Sequence, residues 1–149
     1  MNKNVLIVVD MQNDFISGAL GSKEAETIVE RVAEKVKAAG EEGALVIFTR
    51  DTHGEDYLTT EEGKNLPVPH CIEHTEGWQV SRRITSPQNS RSFDKYTFGS
   101  LALGRAALAI TALDSTQISV QSPTSSTRSG TTASSLRKLP NAREPKVSL

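Results

Sequence analysis

Two unbroken apolar runs, Val5-Leu6-Ile7-Val8-Val9 and Ala44-Leu45-Val46-Ile47-Phe48, leave this chain few folds to choose from. Runs of that kind suit strands covered on both faces, as in parallel sheets, rather than half-exposed strands that alternate apolar and polar residues. Between them, Ser22 to Ala39 puts Ile28, Val29, Val32 and Val36 on one helical face and Lys and Glu on the other, with Gly40 as the expected stop. Strand, helix and strand with short connections predict a right-handed βαβ unit and parallel pairing. The fold class is therefore α/β.

That geometry makes the two strand exits chemically informative. Asp10 closes the first run and Asp51 follows the second in Thr49-Arg50-Asp51-Thr52-His53, so parallel pairing delivers both carboxylates to one sheet edge. Open α/β folds gather their chemistry at that carboxyl edge. Asp at a strand exit also caps turns, and on Asp10 alone the two readings stand level. Asp51 and His53, two residues apart on an extended segment, point the same way and can ligate one cation. His70, stiffened by Pro67 and Pro69, can close the site. Two imidazoles and a carboxylate leave coordination positions for water or substrate, as in catalytic divalent sites. A histidine-bearing loop by itself is more often solvated than metallated. His74 has no such framing and reads as a surface residue.

Lys95 lies in Phe93-Asp94-Lys95-Tyr96-Thr97-Phe98-Gly99-Ser100. Between aromatics its ammonium can steady a developing anion or lower a neighbouring thiol's pKa, although a lysine there also simply lays its stem on the rings.

The 149 residues suffice for one domain with a core. A net charge of −1 offers no clustered basic face for nucleic acid, and no apolar stretch approaches the roughly 20 residues that span a bilayer. The start of the chain lacks the features of a secretory signal, and the lone cysteine, Cys71, fits a reducing compartment. A cytoplasmic protein is expected. The averages hide a division: residues 1–100 hold 11 Lys/Arg and 16 Asp/Glu, whereas residues 101–149 hold 6 and 2. Every aromatic lies at or before Phe98, and residues 114–149 contain 14 Ser or Thr. Such a segment has little apolar surface to offset its conformational entropy. We therefore expect residues 1–103 as the domain and 104–149 as an atypical, disordered tail.

Taken together, Val8-Val9-Asp10-Met11-Gln12-Asn13-Asp14-Phe15, Thr49-Arg50-Asp51-Thr52-His53, Leu66-Pro67-Val68-Pro69-His70-Cys71 followed by Thr75-Glu76-Gly77-Trp78, and the Lys95 segment resemble nicotinamidases and related isochorismatase-like cysteine hydrolases. The resemblance covers about residues 3–103. It implies a three-layer α/β/α fold with a parallel sheet, truncated here. It also implies hydrolysis of a small-molecule amide, nicotinamide to nicotinate and ammonia, within NAD salvage. By the same resemblance Asp10 matches the general base and Lys95 the lysine that assists the thiolate. Asp51, His53 and His70 match ligands of a divalent metal, zinc first, with iron and manganese as alternatives, and Phe15 matches a residue packing on the substrate ring. Homo-oligomerisation is left open.

The family's nucleophilic cysteine has no counterpart. Where the resemblance expects a segment like Gly-Val-Cys-Thr-Asp-Ile-Cys-Val, the chain reads Ala112-Leu113-Asp114-Ser115-Thr116-Gln117-Ile118-Ser119-Val120. Cys71 matches a structural cysteine instead. Three outcomes are open: an amidohydrolase by lineage that is inactive in this form, a metal-binding remnant or pseudoenzyme, or an isochorismatase-like hydrolase acting on another substrate, with metal-activated water as a further route to turnover. Aromatic loss, Ser/Thr surge and charge reversal begin together near residues 104–114, as a shifted reading frame would produce. Sequencing the gene across the codons for residues 100–116 tests this: an alternative frame should encode the expected strand and cysteine segment, and two frames lacking both would refute it.

Overall fold

The computed structural model describes residues 4–97, 117–121 and 123. Strand β1 (Asn4–Val9) leads through a short helix α1 (Asn13–Ile16) into the 19-residue helix α2 (Lys23–Glu41), and then β2 (Leu45–Asp51). A 3₁₀ turn (Tyr57–Thr59) and helix α3 (Glu61–Asn65) follow, then β3 (Ser90–Lys95) and β4 (Gln117–Gln121). The sheet order is β3-β2-β1-β4, and every pairing is parallel. The expected βαβ unit is present.

Both strand faces are apolar because both are buried. Leu6, Val8, Val46 and Phe48 pack with Val29, Val32 and Val36 of α2, while Val5, Ile7 and Ile47 face the other side with Val9, Leu45 and Phe93 around them. Each fully buried aliphatic side chain contributes roughly 1.5–3 kcal/mol relative to exposure. The second helical layer expected over the Val5 face lies outside the described residues.

Helix α2 starts where Ser22 accepts the Ala25 amide on its side chain, with Glu24 and Glu26 in the first turn, where the helix dipole favours carboxylates. Its end differs from the expected stop. Gly40 stays helical, and the left-handed residue that breaks the helix is Gly43, at φ 74°. Gly40 is required for another reason: a Cβ there would come within 2.8 Å of the Pro87 ring.

Two strands lie beyond the apolar runs. β3 carries Lys95 as its last residue, paired with Asp51. β4 pairs Asn4 through Val8 with Gln117 through Gln121, so these five residues of the segment expected to be a tail belong to the sheet. Backbone pairing along β1 supplies hydrogen bonds that do not depend on local composition. Phe98, Gly99 and Ser100, the point at which the resemblance ends and most of the expected tail lie outside the described residues.

Phe48 is 1% exposed at the centre of the helix-facing core. Phe48→Ala is expected to cost about 3–5 kcal/mol in urea unfolding, and Leu58→Ala, at a side chain 53% exposed, less than about 0.5 kcal/mol.

Candidate active site

At the carboxyl edge, the chain leaves β1 through an unusual turn. Asp10 has φ 50°, a left-handed conformation that costs a non-glycine residue about 1–3 kcal/mol unless its surroundings hold it. Thr49 holds it. The Asp10 amide donates to the Thr49 carbonyl (3.1 Å), and the Thr49 hydroxyl donates to Asp10 Oδ1 (2.6 Å). The second carboxylate oxygen receives Lys95 Nζ at 2.7 Å. Both side chains are largely buried, so this charge-assisted bond is poorly screened. The sequence names both residues, and the sheet order brings them together across β2.

Next to this pair stands the second carboxylate. Asp51 Oδ2 lies 3.0 Å from His53 Nε2 and 3.7 Å from His70 Nε2. His70 Nδ1 donates to the Val68 carbonyl (2.8 Å), which orients the ring so that Nε2 faces Asp51. Tyr57 packs against both imidazoles, with ring centroids 4.7 Å from His53 and 5.1 Å from His70, and Phe15 meets the His70 edge at 5.6 Å. Glu62, in the first turn of α3, completes the group: one ligand atom each from Asp51, His53, Glu62 and His70 lie within 4.8 Å of one another. Two nitrogens and two carboxylate oxygens fit a borderline divalent ion such as zinc, iron or manganese.

Glu62 and Tyr57 escape sequence reading. The Thr60 cap on the Gly63 amide starts a helix there, and half-exposed Glu62 reaches to 3.8 Å from His53 Nε2. That capped start, Thr60 before an acidic pair, is the signal that could have found it. His74 is a surface residue, with an 83% exposed side chain.

Burial alone would raise the Asp51 pKa, but the hydrogen bond to His70 and the charges of His53 and Lys95 outweigh it, so its carboxyl is held below the usual range. His70 moves oppositely. Burial would lower it, and Asp51, the Val68 carbonyl and Glu62 raise it above its ordinary value.

These groups open into one cavity of about 390 Å³, lined by Val9, Asp10, Phe15, Leu20, Asp51, Glu62, Leu66, His70, Lys95 and Pro123. Its aliphatic and aromatic wall faces a reactive edge, the usual make-up of a small-molecule site. A larger groove, about 520 Å³ on the outer face of α2, gathers no comparable set of groups.

Cys71 adjoins this site but is buried and held by its backbone. It sits at φ 48°, and its amide donates to Asp14 Oδ2 at 2.7 Å. Burial, reinforced by the negative charges of Asp51, Asp14 and Asp10 and only partly offset by Lys95, pushes the thiol far up. Such a thiol is a poor nucleophile.

An isochorismatase domain model matches residues 4–120. Nicotinamidase of Saccharomyces cerevisiae is 32% identical over 106 residues, 53% of this chain and 49% of the relative, so the chain spans about half the length of the curated relative it matches. Among solved structures, the pyrazinamidase of Pyrococcus horikoshii in complex with zinc aligns with a TM-score of 0.64 at 26% identity, covering 80% of this chain and 70% of that one. Nicotinamidase from Bacillus subtilis aligns at 0.66 and 25% identity over the same shares. An N-carbamoylsarcosine amidase from Thermoplasma acidophilum shares the fold at 0.62 and 21% identity, covering 80% of this chain and 67% of its own.

The raised thiol pKa and the burial of Cys71 set its reactivity. Under native conditions at pH 8, iodoacetamide should label it at least ~100-fold more slowly than in denaturant, followed by mass spectrometry; comparable rates would show an accessible thiolate.

Proposed function

From the premise that this chain belongs to the isochorismatase family, we propose that it carries the base, lysine and metal-binding part of a nicotinamidase-type amide hydrolase centre. The observation that carries this reading is the 2.7 Å Lys95–Asp10 bond opening into the same cavity as Asp51, Glu62 and His70, three members of the group that His53 completes. In this reading the roles divide cleanly. Asp10 takes a proton from the attacking group and passes it to the leaving ammonia, while Lys95 holds the carboxylate in place and offsets negative charge developing on the carbonyl oxygen. Asp51, His53, His70 and Glu62 hold a divalent ion, which supplies a Lewis-acid contact that can orient a ring nitrogen or a water.

The cavity favours a neutral, flat amide. Phe15, Leu20 and Leu66 provide an apolar wall, and the ammonium that lines it, Lys95, is committed to Asp10. Apart from the divalent ion that this reading places there, a substrate carboxylate would find no unpaired cation among the described lining residues. Nicotinamide fits this description, in keeping with the yeast relative's name.

Thiol-dependent turnover needs a cysteine near Asp10 and Lys95, and the sequence has one cysteine, Cys71, in the state described above. The chain in this form is a binding remnant of the amidohydrolase centre, inactive by the thiol route. Its setting is cytoplasmic, its ligand a small molecule, with zinc as the first candidate metal.

Purified protein should therefore bind one divalent ion per chain and release no ammonia from nicotinamide above background. Ammonia release that is lost in Cys71→Ala would overturn the structural role of that cysteine. Release that survives Cys71→Ala and stops with chelator would instead support a metal-dependent hydrolase. For the metal itself, His70→Ala is expected to weaken zinc binding by more than ~100-fold, beyond the loss usual for residues that only support ligands.

A further inference from the structure

β1 stops one step too early for its neighbour. In the parallel sheet the β1–β2 register ends at Val9 opposite Thr49, and the left-handed Asp10 carries the chain away, yet β2 continues to Asp51. Alternate residues of β2 aim their peptide groups at β1: the Thr49 carbonyl receives the Asp10 amide. By the same alternation the amide and carbonyl of Asp51 face a place where β1 no longer runs. Left unpaired there, both groups would be stripped of water with nothing in its place.

Gln12 fills that place with its side chain. Its Oε1 accepts the Asp51 amide at 2.7 Å, and its Nε2 donates to the Asp51 carbonyl and to the Trp78 carbonyl, each at 2.8 Å. A primary amide carries its C=O and one N–H side by side, so like the N–H and C=O of a single strand residue it can accept from and donate to one neighbouring residue, and its second N–H is left for Trp78. Gln12 is fully buried, and its three bonds use both N–H groups and the oxygen. Its own backbone is fixed by a bridge to Val80. Resting on the metal-site reading above, we infer that Gln12 is a positioning residue: its side chain continues β1 as a surrogate strand residue, fixing the backbone of Asp51 so that the carboxylate meets His53, His70 and a divalent ion.

The inference separates two properties that a simple core residue would not. Gln12→Met keeps length and volume while removing every hydrogen bond, and Gln12→Glu keeps an acceptor for the Asp51 amide while turning an oxygen toward two carbonyls. Cobalt(II) titration of wild type and both variants, followed by visible absorption, reports affinity and ligand geometry; amide hydrogen exchange reports the Asp51 N–H. In the wild type, Asp51 should exchange as slowly as the central β2 residues. Gln12→Met should lose that protection at Asp51 while keeping it at Ile47, and Gln12→Glu, whose acceptor remains, should keep it in part. Their cobalt affinity should fall 10–100-fold with an altered spectrum. Folded variants with cobalt affinity within twofold of wild type and unchanged Asp51 exchange would overturn the inference. Should neither variant fold, the wild-type exchange decides: strand-level protection of Asp51 upholds the clamp and rapid exchange refutes it. A wild type that binds no cobalt at all would remove the metal reading, and the clamp on Asp51 would then stand or fall on the exchange comparison alone.

Discussion

The turn at Asp10 sets the rest of the site. A left-handed residue at the end of a buried strand ends the β1 ladder, lifts a carboxylate off the sheet and redirects the chain into α1. That strain persists because Thr49 is bonded to Asp10 from both backbone and side chain, on a strand held by β1 on one flank and β3 on the other. The next residues then inherit fixed positions. Met11 and Gln12 are fully buried, Asp14 reaches the Cys71 amide, and Phe15 arrives beside His70. One short segment thus contacts both the β2 exit and the loop that bears the second imidazole.

Charge at the edge is arranged as two separate centres rather than one acidic pool. Asp10 is matched by Lys95 and by a hydroxyl, while Asp51 is matched by two imidazoles. Burial by itself works against the charge on Asp51, because it disfavours the ionised form. The partners outweigh that at Asp51, whose pKa is lowered despite burial. Arg50 belongs to neither centre. Its guanidinium lies 3.7 Å over the Trp78 ring and forms two bonds to Asp94, so it braces β2 against β3 below the reactive edge.

How legible this was follows from where the information sits. β1, α2 and β2 were legible because strands buried on both faces and an amphipathic helix write their burial into consecutive residues. β3 is not, since Ser90-Arg91-Ser92 are polar and largely exposed and Phe93 is its one apolar residue. Its membership comes from pairing with β2. β4 was hidden by a Ser/Thr-rich neighbourhood for the same reason. In the site, Asp10, Asp51, His53, His70 and Lys95 announce themselves through chemistry and position. Glu62 and Gln12 do not, because an acidic turn and an amide beside a strand acquire meaning only when the fold supplies what they face. Gly40 and Gly43 make the point at smaller scale: two glycines close a helix, and conformation, not identity, decides which one ends it.

Proximity alone would make Cys71 a candidate nucleophile, since it directly follows His70. Its environment argues the other way at each step. Forming the thiolate requires desolvation that the site does not repay, among three carboxylates and one ammonium already bonded to Asp10. Moving the sulfur toward that pair would require the 70–71 backbone to shift, and the Asp14 bond to the Cys71 amide holds it. That same bond supports the loop carrying His70, so recruiting Cys71 would loosen the placement of that imidazole beside Asp51. The Asp10–Lys95 pair and the group around Asp51 are mutually compatible in this fold, and a nucleophile at Cys71 is compatible with neither.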